Sequence, residues 1–326
     1  MHVLVTGAAG MIGRRLTARL ATDGVLAGRP LERLTLTDVT APPAPADGGT
    51  AETVVCDLAA PGSAERLVAG RPDVLFHTAG VVSGEAETDF ESGYRSNLDG
   101  MLALLGAIRR TGDGYRPRLV FTSSCAAYGG PFPDAVGDDF HLTPHTSYGT
   151  QKAVCELLLA DHVRRGFLDG AGLRLPAITV RPGAPNRAAS GFFSSIIREP
   201  LAGREAVLPV GDDVLHTHAS PRAAVGFLVH AAGLSRHDLG DRVNLTMPGV
   251  CCTVAEQIGA AAGRRRRRRG AHPPRVRRPG DAHRRRLAPP LRRCAGAAPR
   301  LRRRAQLRRH RPHPHRGRTR RPRRIG

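Results

Sequence analysis

Residues His2–Thr6 form a short apolar run that passes through Gly7-Ala8-Ala9-Gly10-Met11-Ile12-Gly13 into a helical pattern with Leu16 and Leu20 four apart. A strand feeding a glycine turn that opens a helix is the context that gives such glycines meaning. Gly7 permits the tight turn, and Gly13 lets helix and strand pack closely. Gly10 lets bare backbone approach a pyrophosphate, which rests on the helix N-terminus over the N–H groups of the first turn, Met11 and Ile12 included. The turn therefore predicts dinucleotide binding. Asp38 closes the next strand pattern, where a carboxylate accepts hydrogen bonds from the adenosine ribose and disfavours a 2′-phosphate. That selects NAD over NADP, with Arg14 and Arg15 read as a solvated helix face. Asp57-Leu58, past the third strand pattern, stands where it can flank the adenine.

The rest of the first 181 residues alternates β-rich runs with helical patterns. Strands are expected at Leu34–Val39, Thr53–Cys56, Val74–His77, Leu119–Thr122 and Ala177–Val180. Helices are expected at Gly13–Ala21, Ala64–Ala69, Tyr94–Arg110 and Tyr148–Arg164. Short strands that are apolar on both faces and separated by helices argue a parallel sheet covered on both sides. The expected fold class is thus α/β, a doubly wound parallel Rossmann sheet formed by residues 1–181. A smaller, less regular substrate-binding region would follow over residues 182–263 and return in part to the core.

A second constellation carries proton chemistry. Ser124 follows the fifth strand pattern, and Tyr148 and Lys152 stand four apart on one helical face. A free phenol has a pKa near ~10 and is a poor base at neutral pH. A nearby ammonium favours the phenolate, so Tyr148 can take a proton from a substrate hydroxyl while Ser124 holds the same oxygen. Lys152 is the only lysine among 50 basic Lys and Arg residues. A chain that otherwise uses arginine has kept lysine where a compact donor is needed and a branched, permanently charged fork would not serve.

No signal peptide precedes the first strand pattern, and no apolar run nears the ~18 residues of a membrane span. The six cysteines show no CxxC or other metal-ligand spacing. They read as small hydrophobes in a reducing, cytoplasmic setting, and no metal site is expected.

Together these residues resemble the extended short-chain dehydrogenase/reductase superfamily, which includes the nucleotide-sugar epimerases and dehydratases. The glycine turn, Asp38, Asp57-Leu58, His77-Thr78-Ala79-Gly80, Asn97, Ser124 and Tyr148/Lys152 fall in that family's order. The resemblance implies that the segment holding Ala79 lies along the cofactor and that Asn97 supports the active-site framework. It also implies that the Arg181-Pro182-Gly183 turn passes the nicotinamide. Thr78 and Gly80 depart mildly from the usual Leu and Ala. Where the epimerases carry an Asp-rich segment, this chain reads His218-Ala219-Ser220-Pro221-Arg222, which argues against a nucleotide-sugar substrate. Stretches such as VRPGAPNRAASGFFSSIIREPLAG, within a resemblance running from Met1 to about Ala262, imply NAD-dependent oxidation of the C2 hydroxyl of a four-carbon sugar acid. Arg222, with Asn186 as a lesser candidate, is the expected partner of the substrate carboxylate. The alternative on the same fold is a nucleotide-sugar epimerase or dehydratase. The superfamily also makes a homodimer a natural assembly.

The resemblance stops near Gly263. Residues 264–326 hold 27 arginines and one acidic residue, Asp281, a formal +26 against +22 for the whole chain, so residues 1–263 carry −4. Three readings fit this stretch. It can be a nucleic-acid-binding arm, which would make the chain a basic-tailed binding protein with a vestigial Rossmann fold. It can be a disordered solvated tail. Or it can be GC-rich DNA read out of frame, which yields this Arg, Pro, Ala and Gly vocabulary and explains a break falling inside the helical pattern Val254–Ala262. A plausible dehydrogenase C-terminus in an alternative frame beyond codon 263 is the expected finding in the coding DNA. The arginines would also bind nucleic acid nonspecifically, with affinity falling steeply in salt, and no specific nucleic-acid partner is expected.

Overall fold

The computed structural model describes residues 1–45, 51–183, 188–268 and 276–277. In chain order its main elements are β1 (His2–Thr6), α1 (Met11–Asp23), β2 (Arg33–Asp38), β3 (Ala51–Val55), α2 (Ser63–Ala69), β4 (Val74–His77), α3 (Gly100–Thr111) and β5 (Arg118–Ser124). There follow α4 (Ser147–Arg164), β6 (Asp169–Leu175), β7 (Ala177–Ile178), α5 (Phe192–Leu201), β8 (Leu215–Ala219), α6 (Pro221–Ala232), β9 (Asn244–Thr246), β10 (Val250–Thr253) and α7 (Val254–Arg268).

Seven strands form one parallel sheet in the order β9-β6-β5-β4-β1-β2-β3. The chain winds outward from β1 in one direction to β3, then returns and winds the other way from β4. The crevice beyond the carboxyl ends of β1 and β4 is therefore the topological switch point, where open α/β sheets bind ligands.

Strand periodicity places the two cores. Val3 and Val5 of β1 point to one face and pack with Leu16 and Leu20 of α1 and Leu228 of α6. Leu4, between them, points to the other face with Leu104 and Leu105 of α3 and Leu159 of α4. Each of these fully buried side chains contributes roughly 1.5–3 kcal/mol relative to exposure, so the sheet carrying the crevice is anchored on both sides. A smaller sheet in the order β10-β8-β7 is built from residues 250–253, 215–219 and 177–178.

Two sequence expectations are corrected here. The sixth strand of the main sheet is Asp169–Leu175; Ala177–Ile178, expected in that role, instead pairs with β8. The long helix expected over Tyr94–Arg110 is broken by a π-helical turn at Arg95–Asp99 that turns Asn97 into the interior. Cysteines 56, 125, 155 and 252 are free, as expected, whereas Cys251 is disulfide-bonded. Asn186 and the chain beyond 277 lie outside the described residues. Among the described residues no helix is long and apolar enough to cross a membrane.

Candidate active site

One cavity of about 980 Å³ opens at the switch point. Its first wall is the glycine turn: Gly7, Gly10, Met11, Ile12, Gly13 and Ala79 all line it. Gly7 adopts φ +73°, and a Cβ there would stand 2.4 Å from the Ala79 nitrogen. A Cβ on Gly13 would stand 2.1 Å from the Gly7 oxygen. Both positions bring backbone against backbone with no room for a side chain. A Cβ on Gly10 would approach only the Gly7 oxygen, at 3.2 Å. Gly10 is also the N-cap of α1, makes no side-chain cap, and is followed by no acidic residue in the first turn. The helix thus offers its N–H groups and positive end to an anion. This cradle fits the pyrophosphate of NAD. Gly10→Ala should therefore leave stability within about 1 kcal/mol while weakening NAD binding by about tenfold or more. Urea unfolding and NAD titration measure the two effects separately.

Asp38 ends β2 beside the turn, where its Oδ2 accepts the Ala9 N–H at 2.9 Å. Asp38, Asp57 and Leu58 do not line the enclosed cavity. Asp57 is ion-paired with Arg95 at 2.5 Å. Partial burial opposes its ionisation, but the Arg95 hydrogen bond and the Ala59 N–H hold its carboxyl below the usual range. Leu58 is buried among Met101, Leu104 and neighbours, a packing role.

The same cavity is lined by Ser124, Tyr148 and Lys152, the residues expected to transfer the proton. Thr146 caps α4 by accepting the Gly149 N–H at 3.0 Å, which sets the first turn and hence Tyr148. Ser124, at the end of β5, accepts the Ala126 N–H at 3.1 Å, and its hydroxyl favours ionisation of the Tyr148 phenol. Burial pushes the Tyr148 phenol up to about 12, against the Ser124 hydroxyl and the positive charge of Arg181. Lys152 is 3% exposed. Its Nζ donates to the Thr122 carbonyl at 3.0 Å and lies 5.6 Å from the Tyr148 ring centroid and 4.8 Å from that of Phe121. Burial lowers its pKa to about 8, opposed by Cys155 and Glu156. Tyr148, Ser124 and Lys152 thus line one cavity, but burial raises the phenol where the sequence expectation had the lysine lowering it.

Two cavity residues had no assigned substrate role in the sequence. Arg181 was read only as part of a turn near the nicotinamide. In the fold its charge acts on Tyr148, and its Nη2 donates to Ser190 at 3.0 Å. His216 gave no sequence signal beyond its presence in a His-rich strand. Arg222, expected at the substrate, is exposed in the first turn of α6 and does not line the cavity. The reason is local: Ser220 caps that helix, accepting the Ala223 N–H, and Pro221 and Ala224 take the buried positions.

Beneath the site lies a buried polar network. Arg174 of β6 is 5% exposed and Glu156 of α4 fully buried; Nη2 and Oε2 are 2.7 Å apart. Ser123 donates to Glu156 at 2.5 Å, and Arg174 Nη1 donates to Tyr128 Oη at 2.6 Å and to the Asp138 carbonyl at 2.8 Å. The network ties α4 to the carboxyl ends of β5 and β6, next to Ser124.

Comparison with known proteins agrees with this geometry. A D-erythronate dehydrogenase of Cupriavidus necator is 47% identical over 264 residues, 80% of this chain and 81% of that protein. One from Haemophilus influenzae is 37% identical, over 79% of this chain and 80% of that protein. A crystal structure described as a nucleoside-diphosphate-sugar epimerase from Agrobacterium tumefaciens superposes with a TM-score of 0.85 at 53% identity, covering 93% of this chain and 88% of that one. Residues 3–215 match the NAD dependent epimerase/dehydratase family. With its glycine cradle, switch-point cavity and Ser124–Tyr148–Lys152 constellation, the chain belongs to that family and is an NAD-dependent oxidoreductase.

Proposed function

We propose that the protein oxidises the C2 hydroxyl of a small sugar acid, D-erythronate, to the 2-oxo acid. The observation that carries this reading is the charge of the cavity. Among the described residues lining it, Lys152 and Arg181 are the cations and no carboxylate is present. A wall of that sign accepts an anionic substrate. The names of the relatives from C. necator and H. influenzae point to the same chemistry.

Bound NAD supplies a hydride-accepting ring and a positive charge beside it. The protein's own groups manage the proton. Ser124 holds the substrate oxygen, and Tyr148 Oη takes its proton as the carbonyl forms. Lys152, held by the Thr122 carbonyl, keeps a positive charge beside the phenol ring. Arg181 holds the substrate carboxylate in a charge-assisted contact, worth about 1.5–3 kcal/mol. Arg181→Gln should accordingly raise KM for D-erythronate by roughly 10–100-fold, with kcat changed only a few-fold. Arg222→Ala should leave both parameters near wild type. Steady-state kinetics of the two variants check this, and the reverse ranking would return the carboxylate to Arg222.

The description of the A. tumefaciens structure supports an epimerase as the second reading. Release of NADH into solution separates the two, because an epimerase regenerates NAD within each turnover.

A further inference from the structure

The part of the cavity lining contributed by residues 192–216 is largely apolar, with Phe192, Phe193, Val210 and Val214 among its residues. His216 of β8 interrupts it. The ring packs in a cluster with Phe193, at 4.8 Å between centroids, and His218, at 5.3 Å. Its Nδ1 lies 2.8 Å from the Thr217 carbonyl oxygen. A carbonyl can only accept, so Nδ1 carries the proton, and in the neutral ring Nε2 carries a lone pair. Burial lowers the pKa of this imidazole and so keeps the ring neutral, although the Thr217 bond opposes it. No hydrogen-bond partner for Nε2 occurs among the described residues. His218, two residues on, differs: its Nδ1 is within 3.3 Å of Thr179 Oγ1 and 3.4 Å of Gln257 Nε2, an internal structural role.

We propose that His216 Nε2 accepts a hydrogen bond from a hydroxyl on the substrate's carbon chain beyond the one being oxidised, and so selects polyhydroxylated acids over deoxy acids. This rests on the sugar-acid reading above and adds the source of its hydroxyl specificity. An acceptor fixed in an apolar wall is left unpaired when a methylene takes the place of a hydroxyl. Sites built this way reject the analogue that lacks the group.

The test compares D-erythronate with 2-hydroxybutanoate, which keeps the carboxylate and the reacting hydroxyl but lacks the other two. Wild-type kcat/KM should favour D-erythronate strongly. His216→Phe, which retains the aromatic packing on Phe193, should lose about 10–100-fold on D-erythronate and stay within about threefold on 2-hydroxybutanoate. His216→Gln, which keeps an acceptor oxygen, should recover part of the loss. A His216→Phe variant with the wild-type ratio of the two substrates overturns the proposal. Should that variant not fold, ¹⁵N-histidine NMR of the wild-type protein decides, with His216 assigned by loss of its signals in His216→Gln. The Nδ1–H tautomer is expected, with the Nε2 resonance moving on addition of D-erythronate and not of 2-hydroxybutanoate; the opposite tautomer or an unmoved resonance overturns it. A wild-type protein inert towards both acids removes the sugar-acid reading and this inference with it, whereas an active wild type with an unaltered variant removes this inference alone.

Discussion

Tyr148→Phe should lower kcat for sugar-acid oxidation by about 10²–10⁴-fold, the usual contribution of a positioned acid–base group, while NAD affinity stays within about threefold. The side chain keeps its ring and its seat on α4 and loses only the phenol oxygen. Because burial holds the phenol up at about 12, with Ser124 and Arg181 opposing, the group is protonated near neutrality before substrate and cofactor bind. Oxidation requires the deprotonated form, so kcat/KM in that direction should rise with pH through the neutral and mildly alkaline range. The reverse reduction, which needs the proton, should weaken over the same range. Lys152→Arg should also fail, because Nζ is buried near the Phe121 and Tyr148 rings and donates to the Thr122 carbonyl. A forked guanidinium neither fits that position nor makes the same single contact. Stopped-flow single turnovers with NAD would show the loss in the chemical step; a Tyr148→Phe variant within tenfold of wild type would remove Tyr148 from proton transfer.

Arg174→Met should destabilise the protein by about 3–5 kcal/mol, the cost of leaving a buried carboxylate without its partner. Glu156 is fully buried and meets Arg174 through three hydrogen bonds of 2.7–3.0 Å. Against a total stability of roughly 5–15 kcal/mol, such a loss is a large fraction of the whole. Replacing both members, Arg174→Met with Glu156→Met, should recover at least half of it, because a well-packed apolar pair often matches a buried ion pair. Urea midpoints of the two variants give the comparison. A single substitution costing under about 1 kcal/mol would show that the pair contributes little, and a double variant no better than the single would point to the lost contacts with Ser123, Tyr128 and Asp138.

That same network explains which parts of the fold were legible in the sequence. β1 and β4 were read with the observed bounds because they are uninterrupted apolar runs whose burial on both faces leaves a local signature. β6 was missed because Asp169-Gly170-Ala171-Gly172-Leu173-Arg174-Leu175 has little β propensity of its own. Its composition answers to distant contacts. A Cβ on Gly172 would lie 2.1 Å from Asn244 Oδ1 of β9, so the bare position leaves room for that side chain. Arg174 is tolerated inside the sheet because Glu156, eighteen residues earlier, neutralises it. Neither constraint appears in any local window, so the reading passed to the more β-like Ala177–Val180. The π-helical turn at Asn97 was hidden for a similar reason: an inserted residue shifts a helix without altering its apolar period enough to notice.

The site divided the same way. Gly7, Gly10, Gly13, Ser124, Tyr148 and Lys152 were legible because each answers to a local geometric demand, a turn, a strand end or one helical face. Arg181 and His216, which line the same cavity, were not, since they reach it from separate segments that only the pairing of Ala177–Ile178 with His218–Ala219 brings together. Arg222 looked suitable by charge, yet its place in the first turn of α6 directs it outward to solvent.

The most direct test of the whole account is NADH accumulation by the full chain supplied with NAD and either D-erythronate or a nucleotide sugar such as UDP-glucose. One NADH in solution is expected for each D-erythronate consumed, and none with the nucleotide sugar. Epimerisation of the nucleotide sugar without net NADH, together with no NADH from D-erythronate, would contradict it.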